Sequence, residues 1–544
     1  MNRRNQVLAS LPESEFDLVV IGAGLLGAGI ALEAACHGFS VLVVDKDDFA
    51  SGSSSCTSKI AGGADLINGS QFSLWPWTSS TAQISQLNKR APHMVKDFSF
   101  VMPITPGRFM FSIKAQLSLA LRDLRANVLG KSRGHKRLSK METLQAATGL
   151  AHQVVSGGLR FHDCFADDSR FVLELLKEAS AQGAVAVNYL EAREFESENG
   201  AVKSILLRDR IDGKEITVRP KAVVSACGAW TDRLAKLIDP AAPDSIKTIR
   251  STHIVLPPSA FETGCALLLP AAGNRYVFVV PWQRSLLVGT TATVFEDGPE
   301  NPVPSSQEIA FLLDTINKYK QSGQRVSGAD VACAWAGLNI ISTEKNGGPS
   351  LFRGVNGVIT GYGGHLTDFQ KMAELAVHFL TKKIGPAENH AGTEPSKRTG
   401  SVMLGGFKDK EDYLITTAEI ASRARKIGIE PAGLDHLVSN YGKDALLILD
   451  MIEQNPALNE RICPDFPHLM AEVVHCVENE MAMSLEDVLC RRIRLGFLHR
   501  EQCLAAAPRV ARMMQELYGW DSLRLRSELS ALARNLASQL AAVS

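Results

Sequence analysis

The stretch GAGLLGAG (Gly22–Gly29) constrains this chain more than any other. It sits between FDLVVI (Phe16–Ile21), an apolar run short enough for a buried strand, and the helical run ALEAACHG. SVLVVD follows and predicts a second buried strand that ends at Asp45. Gly22, Gly24 and Gly27 therefore form GxGxxG at a strand-to-helix turn. The first glycine permits the tight turn, the second lets a pyrophosphate approach the backbone, and the third lets helix and strand pack closely. The helix N-terminus turns its positive dipole end toward the phosphates. Asp45 stands 18 positions past Gly27, placed to accept a hydrogen bond from a ribose hydroxyl. The whole is a βαβ unit built to hold a dinucleotide.

At 544 residues the chain exceeds one ordinary core and predicts two or three domains. Formal net charge is zero, so the overall balance offers nothing to a nucleic acid. None of the ten cysteines forms a CxxC pair, which gives no zinc or redox spacing and points to free thiols in a reducing compartment. Arg3 and Arg4 are not followed by an apolar stretch before Pro12 and Glu13, so no secretory signal is expected. No apolar run approaches the roughly 18 residues of a spanning helix. These features predict a cytoplasmic protein.

The choice between NAD and FAD rests on where the chain returns. SACGAW, with Gly228 and Trp230, and GYGGHL, with Gly363 and Gly364, are glycine turns after apolar strands far downstream. A simple NAD domain is contiguous over about 150 residues. A site assembled from such distant segments encloses a flavin, so FAD is expected. The predicted fold is α/β: a discontinuous Rossmann-like FAD-binding domain, an antiparallel-sheet substrate domain and a C-terminal α-helical domain. The FAD-binding part takes segments 14–95, 160–240 and 335–384, interleaved with a substrate part at 96–159 and 241–334. A Pro/Gly-rich linker at 385–401 leads to the helical domain, 402–544.

DKDDFASGSSSCTSK (Asp45–Lys59), RAPHMV, DCFADDSRFVL, SACGAW, THIVLP, FVVPW and GTT stand in the order found in one family. So does SLEDVLCRRIRLGFLHR (Ser484–Arg500). Over nearly its whole length the chain resembles the FAD-dependent glycerol-3-phosphate dehydrogenases, within the D-amino-acid-oxidase-like group. The resemblance implies flavin contacts from Ser53, Ser54, Ser55, Lys59, Gly63, Leu366 and Thr367, besides the glycines above. It implies a small-molecule substrate oxidised by hydride transfer, with electrons passed to a quinone or another acceptor. His253 matches the family histidine near the substrate and is the candidate base. Arg275 matches a cation common before the following strand. Arg491, Arg492 and Arg494 read as structural or interdomain contacts.

The substrate segments depart from the family. After Lys59 the family reads IHGGLRYLE, where this chain has IAGGADLIN. Asp65 then falls on an arginine that belongs to the substrate-phosphate pocket. Asn339 in WAGLNII replaces a second arginine, His365 replaces a lysine, Asp368 a threonine and Gln370 another arginine. Phosphate dianions favour forked, charge-assisted donors, and losing one partner of a buried ion pair costs about 3–5 kcal/mol. Arg353, Arg275 or His365 offers partial replacement. The plainer readings stand beside these: His253 as a structural core histidine, Asp65 as a turn residue or helix cap, His365 as a packing contact, Arg275 as a surface strand residue, and Trp75 and Trp77 as lid packing.

Three functions are compatible with these residues. The first is a glycerol-3-phosphate-dehydrogenase-like enzyme with a rearranged phosphate site. The second is a dehydrogenase or oxidase of a non-phosphorylated alcohol, hydroxy acid or amine, and the third a flavin-binding pseudoenzyme. The basic stretch 108–140, with interleaved Phe109, Phe111, Leu117, Leu119 and Leu121, suits peripheral contact with the inner face of the cytoplasmic membrane. A solvated basic helix is the simpler reading of the same residues.

Overall fold

Phe16–Ile21 and Val41–Val44 are apolar at almost every position, which a strand sustains only when both its faces are covered. The computed structural model describes residues 3–13, 15–61, 77–106, 134–300, 302–321, 323–343, 350–364, 366–387, 400 and 402–543. Among these, both runs are inner strands of a six-stranded sheet. Its order is β17 (Ser350–Arg353), β18 (Ile359–Tyr362), β10 (Pro220–Ser225), β1 (Phe16–Ile21), β2 (Val41–Val44) and β6 (Val185–Val187). Val20 aligns in parallel with Val43 on one side and Val224 on the other. Leu18, Val20, Val41 and Val43 face the helices Leu25–Cys36, Asp168–Ala181 and Phe369–Ile384. Val19, Ile21, Leu42 and Val44 face a three-stranded sheet of β7 (Leu190–Glu198), β8 (Ala201–Asp209) and β9 (Glu215–Val218). Alternation along the strands thus sorts side chains into two apolar layers.

A second, nine-stranded sheet runs β15 (Thr293–Phe295), β11 (Ile246–Leu256), β14 (Ser285–Gly289), β13 (Tyr276–Trp282), β12 (Ala266–Pro270), β3 (Lys96–Ile104), β5 (Gly157–Phe165) and β4 (Lys136–Leu138), with β16 (Cys333–Ser342) also paired to β11. Most pairings are antiparallel, and β12 with β3 is parallel. Two expected boundaries shift here. β16 pairs with β11 along its whole length, so 335–342 belongs to this sheet rather than to the nucleotide sheet. β5 pairs fully with β3, so 160–165 belongs here too, and HDCF ends a strand. Backbone pairing decides the sheet, and a strand's own apolar pattern does not name its partner.

Beyond Lys410 the described chain is almost wholly helical. Ile420, Leu437, Ile448 and Leu449 form a core of their own. Leu485, Val488 and Ile493 instead pack with Phe100 and Trp335 of the second sheet. The arginines of RRIR fasten this unit to the nucleotide domain. Arg492 donates from both terminal nitrogens to Asp48, at 2.6 and 2.9 Å, and Arg491 Nε reaches the same carboxylate at 2.8 Å. Asp48 is fully buried, and such a charge is tolerated only when it is paired and hydrogen-bonded. Most of the linker, 388–399 and 401, lies outside the described residues, as do Gly63, Asp65, Trp75 and His365. So does most of the basic stretch, 107–133. No helix among the described residues is long and apolar enough to cross a membrane.

Candidate functional site

A cavity of about 470 Å³ opens where the two sheets and the downstream glycine turns meet. One end is built from backbone. Gly22 has φ +106°, and a β-carbon there would lie 2.4 Å from the Ala226 carbonyl oxygen. At Gly27 a β-carbon would meet the Gly22 carbonyl oxygen at 1.8 Å, so the helix sits against the turn as only glycine allows. Gly22 and Gly24 line the cavity, whereas Gly27 serves the packing behind it. Gly24 caps the helix with no side-chain hydrogen bond, while Ser54 Oγ accepts from Leu25 N at 2.9 Å.

The Asp45 carboxylate accepts from Ala23 N at 2.8 Å and from Asp47 N at 3.0 Å. Burial outweighs these two donors and pushes its pKa up to about 7. A ribose hydroxyl would add the further donor this carboxylate lacks. Opposite it, the Lys46 ammonium lies 4.5 Å from the centre of the Trp230 ring. Trp230 Nε1 donates to Glu300 at 3.1 Å, and Arg233 pairs with the same glutamate. Gly228, Gly363, Gly364, Leu366 and Ser53 also line the cavity, Ser53 donating to the Leu338 carbonyl at 2.5 Å. Ser55 and Thr367 are buried beside the lining, and Ser55 Oγ turns back to the Gly52 carbonyl.

The other end is built from side chains. His253 on β11 sits in register with Gly289 of β14 and Trp335 of β16. Its ring stacks on Trp335, centroids 5.5 Å apart and planes 15° apart. His253 is buried, lines the cavity, and neither ring nitrogen makes a well-formed hydrogen bond. Burial, reinforced by the Lys59 charge, pushes its pKa down to about 3. Asn339 lines the same wall and donates to Ser251 Oγ at 2.9 Å. Lys59 is fully buried and pairs with Asp168 at 2.7 Å. Burial and the Arg494 guanidinium lower the Lys59 pKa, against the pull of Asp168. Burial alone would raise the Asp168 carboxyl, but Lys59 and Arg494 hold it below the ordinary carboxylate range.

Two expected site residues stand elsewhere. The Arg275 guanidinium stacks 4.0 Å from the centre of the Phe311 ring, and its Nε donates to the Ala272 carbonyl, away from the cavity. The turn 272–274 before β13 aims it at the helix Ser306–Tyr319. Asp368 caps the helix Phe369–Ile384, its carbonyl accepting from Met372 N, and does not line the cavity. Asp168, Cys227 and Glu300 line it and were not singled out from sequence. The acidic pair before a helix in ADDSRF, within the family motif DCFADDSRFVL, was the signal for Asp168.

The arrangement fits a bound FAD. The glycine turn at one end would hold the phosphates, and at the other a buried imidazole without a well-formed hydrogen bond faces the space a ligand would fill. Comparison with known proteins agrees. Residues 17–367 match the family of FAD dependent oxidoreductases (DAO), and residues 397–525 match the C-terminal domain of alpha-glycerophosphate oxidase. The human mitochondrial glycerol-3-phosphate dehydrogenase is 28% identical over 566 residues, covering 98% of this chain and 75% of its own. The aerobic glycerol-3-phosphate dehydrogenase of Bacillus subtilis (strain 168) is 27% identical over 529 residues, covering 95% of this chain and 94% of its own. The crystal structure of the glycerol-3-phosphate dehydrogenase from Bacillus halodurans complexed with FAD shares the fold, with a TM-score of 0.82 at 24% identity over 100% of this chain and 99% of that one.

Proposed function

Because the chain belongs to the DAO family of FAD-dependent oxidoreductases, we propose that it oxidises the secondary alcohol of glycerol-3-phosphate, with FAD in this cavity as the two-electron acceptor. The observation that carries this reading is joint coverage. Relatives named for that activity align with both the oxidoreductase body and the C-terminal unit. Within the site, a ring nitrogen of His253 takes the hydroxyl proton as the hydride leaves the carbinol carbon, giving the ketone. Burial keeps this imidazole neutral at working pH, and its ring nitrogens lack well-formed hydrogen bonds, so a lone pair is open to the proton. Its stacking on Trp335 fixes the ring plane.

A second reading rests on charge. Among the described residues, Lys46, Lys59 and Arg233 are the cations that line the cavity. Each already has an acidic partner, respectively Asp47, Asp168 and Glu300. Asn339 stands where the family resemblance implies an arginine. This wall suits a non-phosphorylated alcohol, hydroxy acid or amine. Anaerobic mixing with glycerol-3-phosphate, following the oxidised-flavin band, separates the two. Bleaching by glycerol-3-phosphate supports the first reading. Bleaching by glycerol or a neutral polyol but not by the phosphate ester supports the second. His253→Asn should slow the bleaching by about 10²- to 10⁴-fold, and an unchanged rate removes the histidine from the chemistry.

The electron acceptor on this reading is a membrane quinone, reached from the cytoplasmic face. The nine Lys and Arg residues and single acid between 103 and 140 support that placement. Co-flotation with anionic but not neutral vesicles tests it.

A further inference from the structure

Two residues with left-handed backbone converge on one carboxylate. Lys59 has φ +62° and Arg494 has φ +69°. A residue with a β-carbon holds that conformation when its surroundings impose it, and such positions gather at functional sites. Lys59 Nζ lies 2.7 Å from Asp168 Oδ1, and Arg494 Nη2 lies 3.2 Å from the same oxygen. All three side chains are buried. Lys59 and Asp168 line the cavity, whereas Arg494 belongs to the C-terminal helical unit and reaches them from behind.

Arg494 holds more than the carboxylate. Its Nη2 also donates to the Ser55 carbonyl at 2.8 Å, within the loop whose other face lines the cavity. Its Nε sits 3.3 Å from Asp167, and the guanidinium lies 4.4 Å from the Phe497 ring centre. One planar fork therefore ties the cofactor loop, the N-terminus of the helix Asp168–Ala181 and the C-terminal unit together. A lysine at that position offers a point charge and no such fork. The Lys59 ammonium, held by this arrangement, lies 5.0 Å from the centre of the Trp282 ring and 5.8 Å from that of Trp335, the ring on which His253 stacks.

We propose that Arg494 is a positioning residue that acts through Asp168 to hold Lys59 as the cation of the reaction centre, so that the C-terminal unit sets the redox poise of the bound flavin. A fixed positive charge in a water-poor cavity favours the more negative, reduced form of a cofactor. Removing Arg494 takes away one positive charge and leaves the Asp168 carboxylate, already 2.7 Å from Lys59, to cancel more of the Lys59 charge. Both effects favour the oxidised form. The inference rests on FAD binding alone and stands whichever substrate the enzyme takes.

The experiment is therefore substrate-free. The full-length flavoprotein is reduced slowly beside a reference dye, and the flavin–dye equilibrium is read for Arg494→Gln and Arg494→Lys, alone and in a Lys59→Met background. Arg494→Gln should move the equilibrium about tenfold toward oxidised flavin, equivalent to about 30 mV for a two-electron couple. Arg494→Lys keeps the charge and loses the fork, and should move it about threefold in the same direction. In the Lys59→Met background the Arg494→Gln shift should shrink to the part due to the lost guanidinium charge, and Arg494→Lys should add none. An equilibrium within about twofold of the parent for Arg494→Gln, or an equal shift without Lys59, overturns the proposal. A purely structural arginine would lower thermal stability and leave the equilibrium alone. If Arg494→Gln does not accumulate folded, Arg494→Lys decides the matter by the same limit.

Discussion

The two ends of the cavity are made in different ways. At the dinucleotide end the working parts are glycines, backbone N–H groups and one carboxylate, mostly within residues 22–54. At the far end they are side chains drawn from the whole chain: Lys59 after the first loop, Asp168 at a helix start, His253 and Trp335 on neighbouring strands, and Arg494 from the C-terminal unit. The first end is shaped by steric closeness, where an added β-carbon has nowhere to go. The second is shaped by buried charge, which requires a partner wherever in the sequence that partner lies. The C-terminal unit is thus joined to the site through arginines that neutralise acids of the nucleotide domain.

Four substitutions press on this contrast. Arg492→Met leaves the fully buried Asp48 with a weaker set of partners. It should cost about 3–5 kcal/mol of stability, read as a fall in urea midpoint, and a loss below about 1 kcal/mol would mean that Arg491 and Asn188, whose Nδ2 donates to Asp48 at 2.9 Å, suffice. Asp45→Asn keeps the shape of the local end but puts an amide donor where one acceptor oxygen stood. It should weaken FAD by about 2 kcal/mol, roughly thirtyfold, measured as fluorescence of released cofactor. Unchanged retention would make the cradle purely steric.

Buried imidazoles without well-formed hydrogen bonds occur at both His253 and His468, each pushed down to a pKa of about 3, chiefly by burial. Their folded values lie below the ordinary histidine value near 6.5. The unfolded chain therefore takes up protons first as pH falls, and stability drops from about pH 6.5 downward by about 1.4 kcal/mol per unit for each group. His468→Phe, remote from the cavity, should remove one such slope between pH 6.5 and 4.5. Identical slopes in parent and variant would contradict the burial argument. The smallest effect belongs to Arg275→Ala, which gives up one ring contact worth about 1 kcal/mol or less. A fall in the rate of flavin reduction with this variant would return Arg275 to the site.

The βαβ unit, the two inner strands and the glycine turns at Gly228 and Gly363 were legible residue by residue, because each depends on short-range sterics and period-two burial. The RRIR segment was legible as an interdomain contact, although not its targets. Arg275 was misplaced because strand position says nothing of which way the preceding turn aims a side chain. Segments 160–165 and 335–342 went to the wrong sheet for a related reason: a strand's own residues do not name the strand it pairs with. Local order along the chain therefore settled which elements form and where the glycine turn of the cavity lies. The tertiary structure settled which acid each buried cation meets, because pairing across hundreds of residues follows from packing rather than from any local pattern.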